Sequence, residues 1–330
     1  MSIAPGTLLR IAVALGLTTF ILWQSDVGAV RAALTEVDWR WIAATLLLVL
    51  VDRALMAWRW LVLLRPVAPG SRLTLPIVLR IFFVSTFVGT FLPASIGGDA
   101  LRAMSLSKHG IAMADSVASV LADRVFGTLA ILLIATLAVF DAPAGLPEWI
   151  APVTVALTAV AVVGVSMGLF HAGGERLGER VLQALTRGKL LKAGTNLLRS
   201  LRRYAHAPAA LASVLTGSLA VQLLRITQAW MLGLALGIPT SFAAYLVYIP
   251  VILLVMLLPI TINGLGTSQA AFVWLFAASG VSDADAFALS VLFLALGTVG
   301  NLPGGILYAT GGLHGPVASD VRVEENLPRG

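Results

Sequence analysis

Several charged residues of this chain sit where their neighbours are apolar, and they are the residues equipped for chemistry. Arg225 lies near the centre of an apolar run from 209 to 236. Ser218, Gln222, Arg225 and Gln228 recur at intervals of four, three and three residues, which places them on one helical stripe. An arginine at mid-membrane costs at least about 2.5–3.5 kcal/mol on insertion scales, so it demands a partner. A structural carboxylate, Asp52 or Asp123, is one candidate, and a lipid phosphate is the other. Asp123 and Arg124 are adjacent inside a second apolar run, 114–140, and point about 100° apart, so they reach toward other helices. Asp99 and Arg102 follow Gly97-Gly98 at the start of a helix, where free N–H groups and the dipole favour an anion. Asp99 is equally suited to cap that helix. Asp52 lies in a third run, 40–64, and Arg59, seven residues on, shares its face.

The chemistry these side chains suit is the handling of an anionic group inside hydrocarbon. A guanidinium offers a phosphate two parallel donors, which an ammonium does not. Arg225, Arg102 and Arg124 are therefore the expected headgroup ligands, with Gln222 and Ser218 as neutral partners. Asp99, Asp123 and Asp52 are the candidates for a counter-charge or a coupling proton. Enzyme signatures are weak by comparison. Gly164-Val165-Ser166-Met167-Gly168 matches a nucleophile-elbow spacing, but it lies in an unbroken apolar run where paired glycines suit helix packing. The four histidines show no metal-ligand spacing, and no Walker or dinucleotide loop occurs, so neither a metal nor a cofactor is expected. The chain has no cysteine, which excludes disulfides and thiolate chemistry.

Composition determines the solvent. Hydrophobic residues make up 58% and charged residues 12%, against about 45–50% and 25% in soluble domains, so this is an integral membrane protein. The net charge of +6 is modest and fits cytoplasmic loops better than nucleic acid. Period-two alternation is absent, so the spans are helical. A first apolar run, 11–23, reads as a retained helix rather than a signal peptide, although Val27-Gly28-Ala29 loosely fits a cleavage site. The run 40–64 carries Trp39 and Trp41 at one end and Trp58 and Trp60 at the other, the separation of two interfacial belts.

Two interruptions organise the rest. Leu92-Pro93-Ala94-Ser95-Ile96-Gly97-Gly98-Asp99 is answered by Leu258-Pro259-Ile260-Thr261-Ile262-Asn263-Gly264, with Pro259 lying 166 residues after Pro93. Paired broken helices, one in each half, are the mark of transporters built from internal repeats. The strongly basic stretch 175–206 belongs in the cytoplasm, and the linker 141–148, without Lys or Arg, belongs outside. Arg72 and Arg80 before the first interruption and Arg102 and Lys108 after it then share the inner face, which predicts a hairpin that dips in and returns. Three spans later the second hairpin enters from outside, which makes the repeat inverted. Ser95, Thr261 and Asn263 are expected to touch substrate. Pro93, Gly97, Gly98, Pro259, Gly264 and Gly266 are expected to shape the cavity.

At this point the chain resembles a known family, the lysylphosphatidylglycerol synthase/flippase membrane domains. The residues that carry the resemblance are Leu92-Pro-Ala-Ser-Ile-Gly-Gly-Asp-Ala-Leu-Arg102, Ala122-Asp-Arg-Val-Phe-Gly127 and Leu258-Pro-Ile-Thr-Ile-Asn-Gly-Leu-Gly266. It implies a polytopic lipid translocator, here as a stand-alone membrane domain, since full-length relatives add a cytoplasmic synthase domain. The family usually follows Gly-Leu-Gly with a hydrophobic residue, Arg and Glu, whereas this chain has Thr267, Ser268 and Gln269. Aminoacyl-phosphatidylglycerol is therefore in doubt as the substrate, and the residues do not choose among the hopanoids, glycolipids and polyprenyl-linked sugars associated with stand-alone relatives.

The resulting expectation is an all-α, polytopic membrane bundle of about six full spans plus two re-entrant hairpins in an inverted repeat. It forms one transmembrane domain over 1–330, with halves near 1–170 and 207–312, a basic linker at 171–206 and a polar tail at 313–330. The expected function is ATP-independent lipid movement through a polar midplane cavity; a membrane-embedded lipid- or polyprenyl-modifying transferase is the alternative, and a non-enzyme is the preferred reading. The expected partners are the lipid substrate, anionic lipid at the cytoplasmic surface, and either a second copy or a separate lipid-synthesising enzyme. The expected location is the bacterial inner (plasma) membrane, with both termini cytoplasmic.

Overall fold

The computed structural model describes residues 35–91, 96–141, 146–258 and 265–311, which form helices with no strand among them. In order these are α1 (Trp39–Val67), α2 (Leu75–Phe91), α3 (Ile96–Lys108), α4 (Met113–Val139), α5 (Ile150–Phe170), α6 (Ala172–Leu185), α7 (Lys189–Arg202), α8 (Pro208–Ala235), α9 (Phe242–Leu257), α10 (Thr267–Ala277), α11 (Asp283–Val299) and α12 (Leu302–Gly311). Among the described residues, five stretches are long and apolar enough to cross a bilayer: Trp39–Val67, Met113–Val139, Ile150–Phe170, Pro208–Ala235 and Asp283–Ala309. The run at 11–23 and the tail at 313–330 lie outside the described residues. Helices α2 and α3 have 17 and 13 residues. At 1.5 Å per residue they reach about 25 and 20 Å, short of the roughly 30 Å hydrocarbon core.

Local sequence sets the helix ends. The Asp38 carboxylate accepts from the Arg40 amide at 2.9 Å and caps α1. Ser282 caps α11 through the Asp285 amide at 3.1 Å. Pro208 opens α8, where its missing N–H costs nothing. Gly266 stands before α10 at φ 82°, a left-handed conformation that a side chain would resist. The Gln269 side chain folds back to accept the Gly266 N–H at 2.6 Å. One residue of the departure from the family pattern is thus a helix cap.

Contacts at the helix ends fix which ends lie together. The Asp38 N–H donates to the Ala235 carbonyl at 3.0 Å, joining the start of α1 to the end of α8. The Tyr204 hydroxyl donates to the Leu63 carbonyl at 2.9 Å and Arg203 Nη1 to the Val67 carbonyl at 2.8 Å, joining the end of α1 to the turn before α8. Helices α1 and α8 therefore run antiparallel. Ser200 and Arg203 also reach Asp115 at 2.6 and 3.2 Å, so α4 starts at this same basic end. The start of α2 follows closely on the end of α1, and the end of α3 closely precedes α4, so both outer ends of the α2–α3 pair face the basic segment. The α9–α10 pair faces the other way. Its first helix follows the Ala235 end of α8, and Trp274 in α10 stacks on Trp149, at the start of α5, with centroids 6.0 Å apart.

Among the described residues, the order long, short, short, long occurs twice, as α1 to α4 and as α8, α9, α10 and the stretch Asp283–Ala309. Packing is reciprocal, with α4 against α9 and the α12 end of the last span against α2. Small residues permit this closeness, because helices in lipid associate through contact rather than water exclusion. A Cβ on Gly304 would strike the Phe83 carbonyl, and one on Gly300 would strike the Val49 side chain. The main apolar core joins α4, α8, α9, α10 and α11 around Tyr245, Tyr248, Phe272 and Phe276. A second cluster, with Trp60, Phe82 and Leu106, seats the α2–α3 pair on α1. The basic segment folds as two amphipathic helices, α6 and α7, with α7 lying against α4. Helix α5 has little cover and presents apolar side chains such as Val160 and Val163 outward, as a lipid-facing helix does.

Candidate functional site: a charged central cavity

A cavity of 380 Å³ lies where the broken helices meet the long ones. Its wall includes Asp52, Arg53 and Arg59 from α1, Asp99 and Arg102 from α3, Asp123 and Arg124 from α4, and Gln222, Arg225 and Gln228 from α8. Gly89 and Thr90 at the end of α2, Leu257 at the end of α9, and Asn301 at the break between α11 and α12 complete it. Five arginines against three aspartates give this wall a net charge of +2.

The charges pair in a fixed pattern. Asp123, buried to 3% exposure, receives Arg59 Nη2 on Oδ1 at 2.6 Å and Arg102 Nη1 on Oδ2 at 3.3 Å. Arg59 also donates to Ser218 Oγ at 2.8 Å, which places Ser218 behind the wall as a support for Arg59. Arg124 holds Asp99 in a two-pronged contact at 2.8 and 3.1 Å. Arg102 lies between two rings, 4.7 Å from the Trp60 centroid and 4.3 Å from that of Phe82, a cation–π sandwich that fixes its plane. Arg53 donates to Asp52 Oδ2 at 2.9 Å, to Asn301 Oδ1 at 3.0 Å and to the Gly297 carbonyl at 3.2 Å. Arg225 is held most loosely: its Nε stands 3.6 Å from Asp52 Oδ1, and its Nη2 meets only the Met56 sulfur at 3.2 Å.

Sequence reasoning named Arg225, Arg102, Arg124, Gln222, Asp99, Asp123 and Asp52, and all seven line this cavity. The carboxylate facing Arg225 is Asp52; Asp123 is taken by Arg59 and Arg102. Gly98 also lines the cavity, and its bare Cα lies against α2, where a Cβ would come within 3.0 Å of the Ser85 carbonyl. Gly97 is half-buried and Gly266 is the turn before α10; neither is part of the cavity wall. Ser95, Thr261, Asn263, Pro93, Pro259 and Gly264 fall outside the described residues. Arg53, Arg59 and Asn301 were missed as site residues. A signal existed for the first two, since Asp52-Arg53 and Arg59 are charges within the apolar run 40–64. Asn301 gave none, because one asparagine beside a glycine and a proline reads as a loop.

A family model described as the lysylphosphatidylglycerol synthase TM region matches residues 7–304. The chain belongs to that family. The match includes all the cavity-lining residues. The family is a membrane domain of flippase-like proteins, and with the five apolar spans it makes this chain an integral membrane protein. No curated protein matches the chain at a significant level.

Proposed function

We propose that this chain moves a lipid across the bilayer, drawing the headgroup through the charged cavity while the acyl chains stay in the surrounding lipid. One observation carries the reading: a cavity of 380 Å³, walled by five arginines, inside a bundle of membrane spans. Each such charge is costly in hydrocarbon and is retained where it meets a polar group in transit. Apolar cores and lipid-facing helices need none of them.

On this proposal the α2–α3 and α9–α10 pairs are re-entrant hairpins that enter from opposite faces, with the two halves forming an inverted repeat. Their outer ends lie at opposite ends of the bundle, the inner ends of α2, α3 and α9 reach the cavity, and α1 runs against its counterpart α8. That is the arrangement in which rocking one half against the other exposes a midplane site to each side in turn. No ATP site enters the mechanism. Movement is either downhill or coupled to a gradient, with Asp52, Asp99 and Asp123 as the carboxylates available to carry a proton.

The test is transport in liposomes containing the purified protein and a fluorescent phospholipid, read by quenching from the outer face. Arg225→Leu is expected to abolish the protein-dependent rate and Arg225→Lys to lower it, because the fork of donors is lost. Both variants should fold, since Asp52 keeps Arg53 at 2.9 Å. A folded Arg225→Leu protein that moves lipid at the parent rate would overturn the proposal.

A further inference from the structure

The polar atoms left over in the cavity describe the headgroup it fits, and the argument rests on the translocation reading above. Among the described residues, buried atoms of the cavity wall without a hydrogen-bond partner are Arg102 Nε and Nη2, Gln228 Nε2, Gln222 Oε1 and Asp52 Oδ1. Their four residues are at most 5% exposed. Such groups are costly to leave unmet, so the site is built for something that meets them.

These atoms are of two kinds. Arg102 and Gln228 offer donors, and Arg225, held only by Asp52 Oδ1 at 3.6 Å and the Met56 sulfur at 3.2 Å among the described residues, offers more. Asp52 Oδ1 and Gln222 Oε1 are acceptors. The Gln222 amide is oriented by its Nε2, which donates to the Gly127 carbonyl at 3.4 Å and leaves Oε1 without a partner. Every other carboxylate oxygen of the wall has an arginine within 3.3 Å, whereas Asp52 Oδ1 has Arg225 Nε at 3.6 Å, beyond hydrogen-bond reach. The net charge of +2 therefore has its free donors on Arg102 and Arg225, with two acceptors beside them.

We infer that this cavity selects an anionic phosphodiester whose headgroup also donates hydrogen bonds, as a hydroxylated or sugar headgroup does, and that it rejects a cationic one. The phosphate takes the donors of Arg102 and Arg225, and headgroup hydroxyls donate to Asp52 Oδ1 and Gln222 Oε1. A choline headgroup brings a positive charge and no N–H or O–H donor. A simple methyl ester satisfies the cationic side and leaves both acceptors bare. An aminoacyl headgroup supplies donors but adds positive charge to a wall that already has a surplus.

The experiment compares short-chain phosphatidylglycerol, phosphatidylmethanol, phosphatidylcholine, lysyl-phosphatidylglycerol and free glycerol phosphate as stabilising ligands of the detergent-solubilised protein. Fluorescent versions of the four lipids are followed in liposomes in parallel. Phosphatidylglycerol should bind tightest, with phosphatidylmethanol weaker by about thirtyfold or more, since it forgoes one neutral hydrogen bond and one to a carboxylate. The choline and lysyl lipids should be weaker still. Gln222→Leu should narrow that gap by about fivefold, the worth of one neutral hydrogen bond. Equal binding of the choline or lysyl lipid overturns the charge selection, and equal binding of the methyl ester overturns the donor requirement. Glycerol phosphate binding as tightly as the lipid overturns a lipid ligand in favour of a soluble phosphate. The expected binding order without movement in liposomes supports this selectivity and overturns translocation. Movement of all four lipids at one rate does the reverse.

Discussion

Asp123 joins two buried arginines, and that gives its removal an asymmetric cost. Arg59 Nη2 lies 2.6 Å from one carboxylate oxygen and Arg102 Nη1 lies 3.3 Å from the other. Breaking a buried pair by removing one partner typically costs about 3–5 kcal/mol, because the survivor is left uncompensated. Asp123→Asn strands two cations and belongs near about 5 kcal/mol on that range. Arg59→Met leaves Asp123 with Arg102 and belongs near about 3 kcal/mol. Combining Arg59→Met with Asp123→Asn removes both charges of the shorter contact, while Arg102 falls back on Asp99 at 3.7 Å. The double variant should therefore cost less than the two singles together by about 1–3 kcal/mol, the coupling seen for residues in one network. Denaturation in mixed detergent micelles, followed by tryptophan fluorescence, measures all three. Additive costs, or an Asp123→Asn penalty below about 1 kcal/mol, would refute the claim that this carboxylate holds the two helices α1 and α3 to α4.

Three other outcomes follow from the structure. Cysteines placed at Arg72 and Lys108 should label from the same side of a sealed vesicle, and labelling from opposite sides would eliminate the α2–α3 hairpin. Gly98→Val should cost about 1–3 kcal/mol by forcing α3 away from the Ser85 carbonyl, seen as a lower unfolding midpoint; an unchanged midpoint would mean that the two helices have room to spare. Burial, with Asp115 and Asp123 adding to it and Arg203 opposing, raises the Tyr204 phenol well above its ordinary value of 10.0. Its stabilising contribution is thus complete below that ordinary value and declines as pH rises toward the folded-state value, by about 1.4 kcal/mol per pH unit. Parent protein should lose stability between about pH 9 and about pH 11 faster than Tyr204→Phe, and equal slopes would remove Tyr204 from the alkaline transition.

Solvent and element type were legible in the sequence because both depend on local quantities. Apolar runs such as 114–140 and 209–236 are long enough to span, and lipid leaves their backbone no choice but the helix. Two helix ends were legible too, since α2 stops at Phe91 just before Pro93 and α9 at Leu257 just before Pro259, residues that do not continue a helix. So were the individual charges of the cavity, because an Arg225 or an Asp123 within such a run is conspicuous whatever surrounds it. Pairing was not legible. Asp52 and Asp123 are equally plausible partners for Arg225 in one dimension, and only the packing of α1 against α8 brings Asp52 to 3.6 Å while α4 commits Asp123 to Arg59 and Arg102. Asn301 gained its place the same way, as Gly304 and Gly305 let α12 close on α2 and carry that asparagine to Arg53 and Thr90. Sequence spacing determines which face of its own helix a residue occupies; which other helix meets that face, and which donors stay unmet there, depends on long-range packing that only the assembled bundle decides.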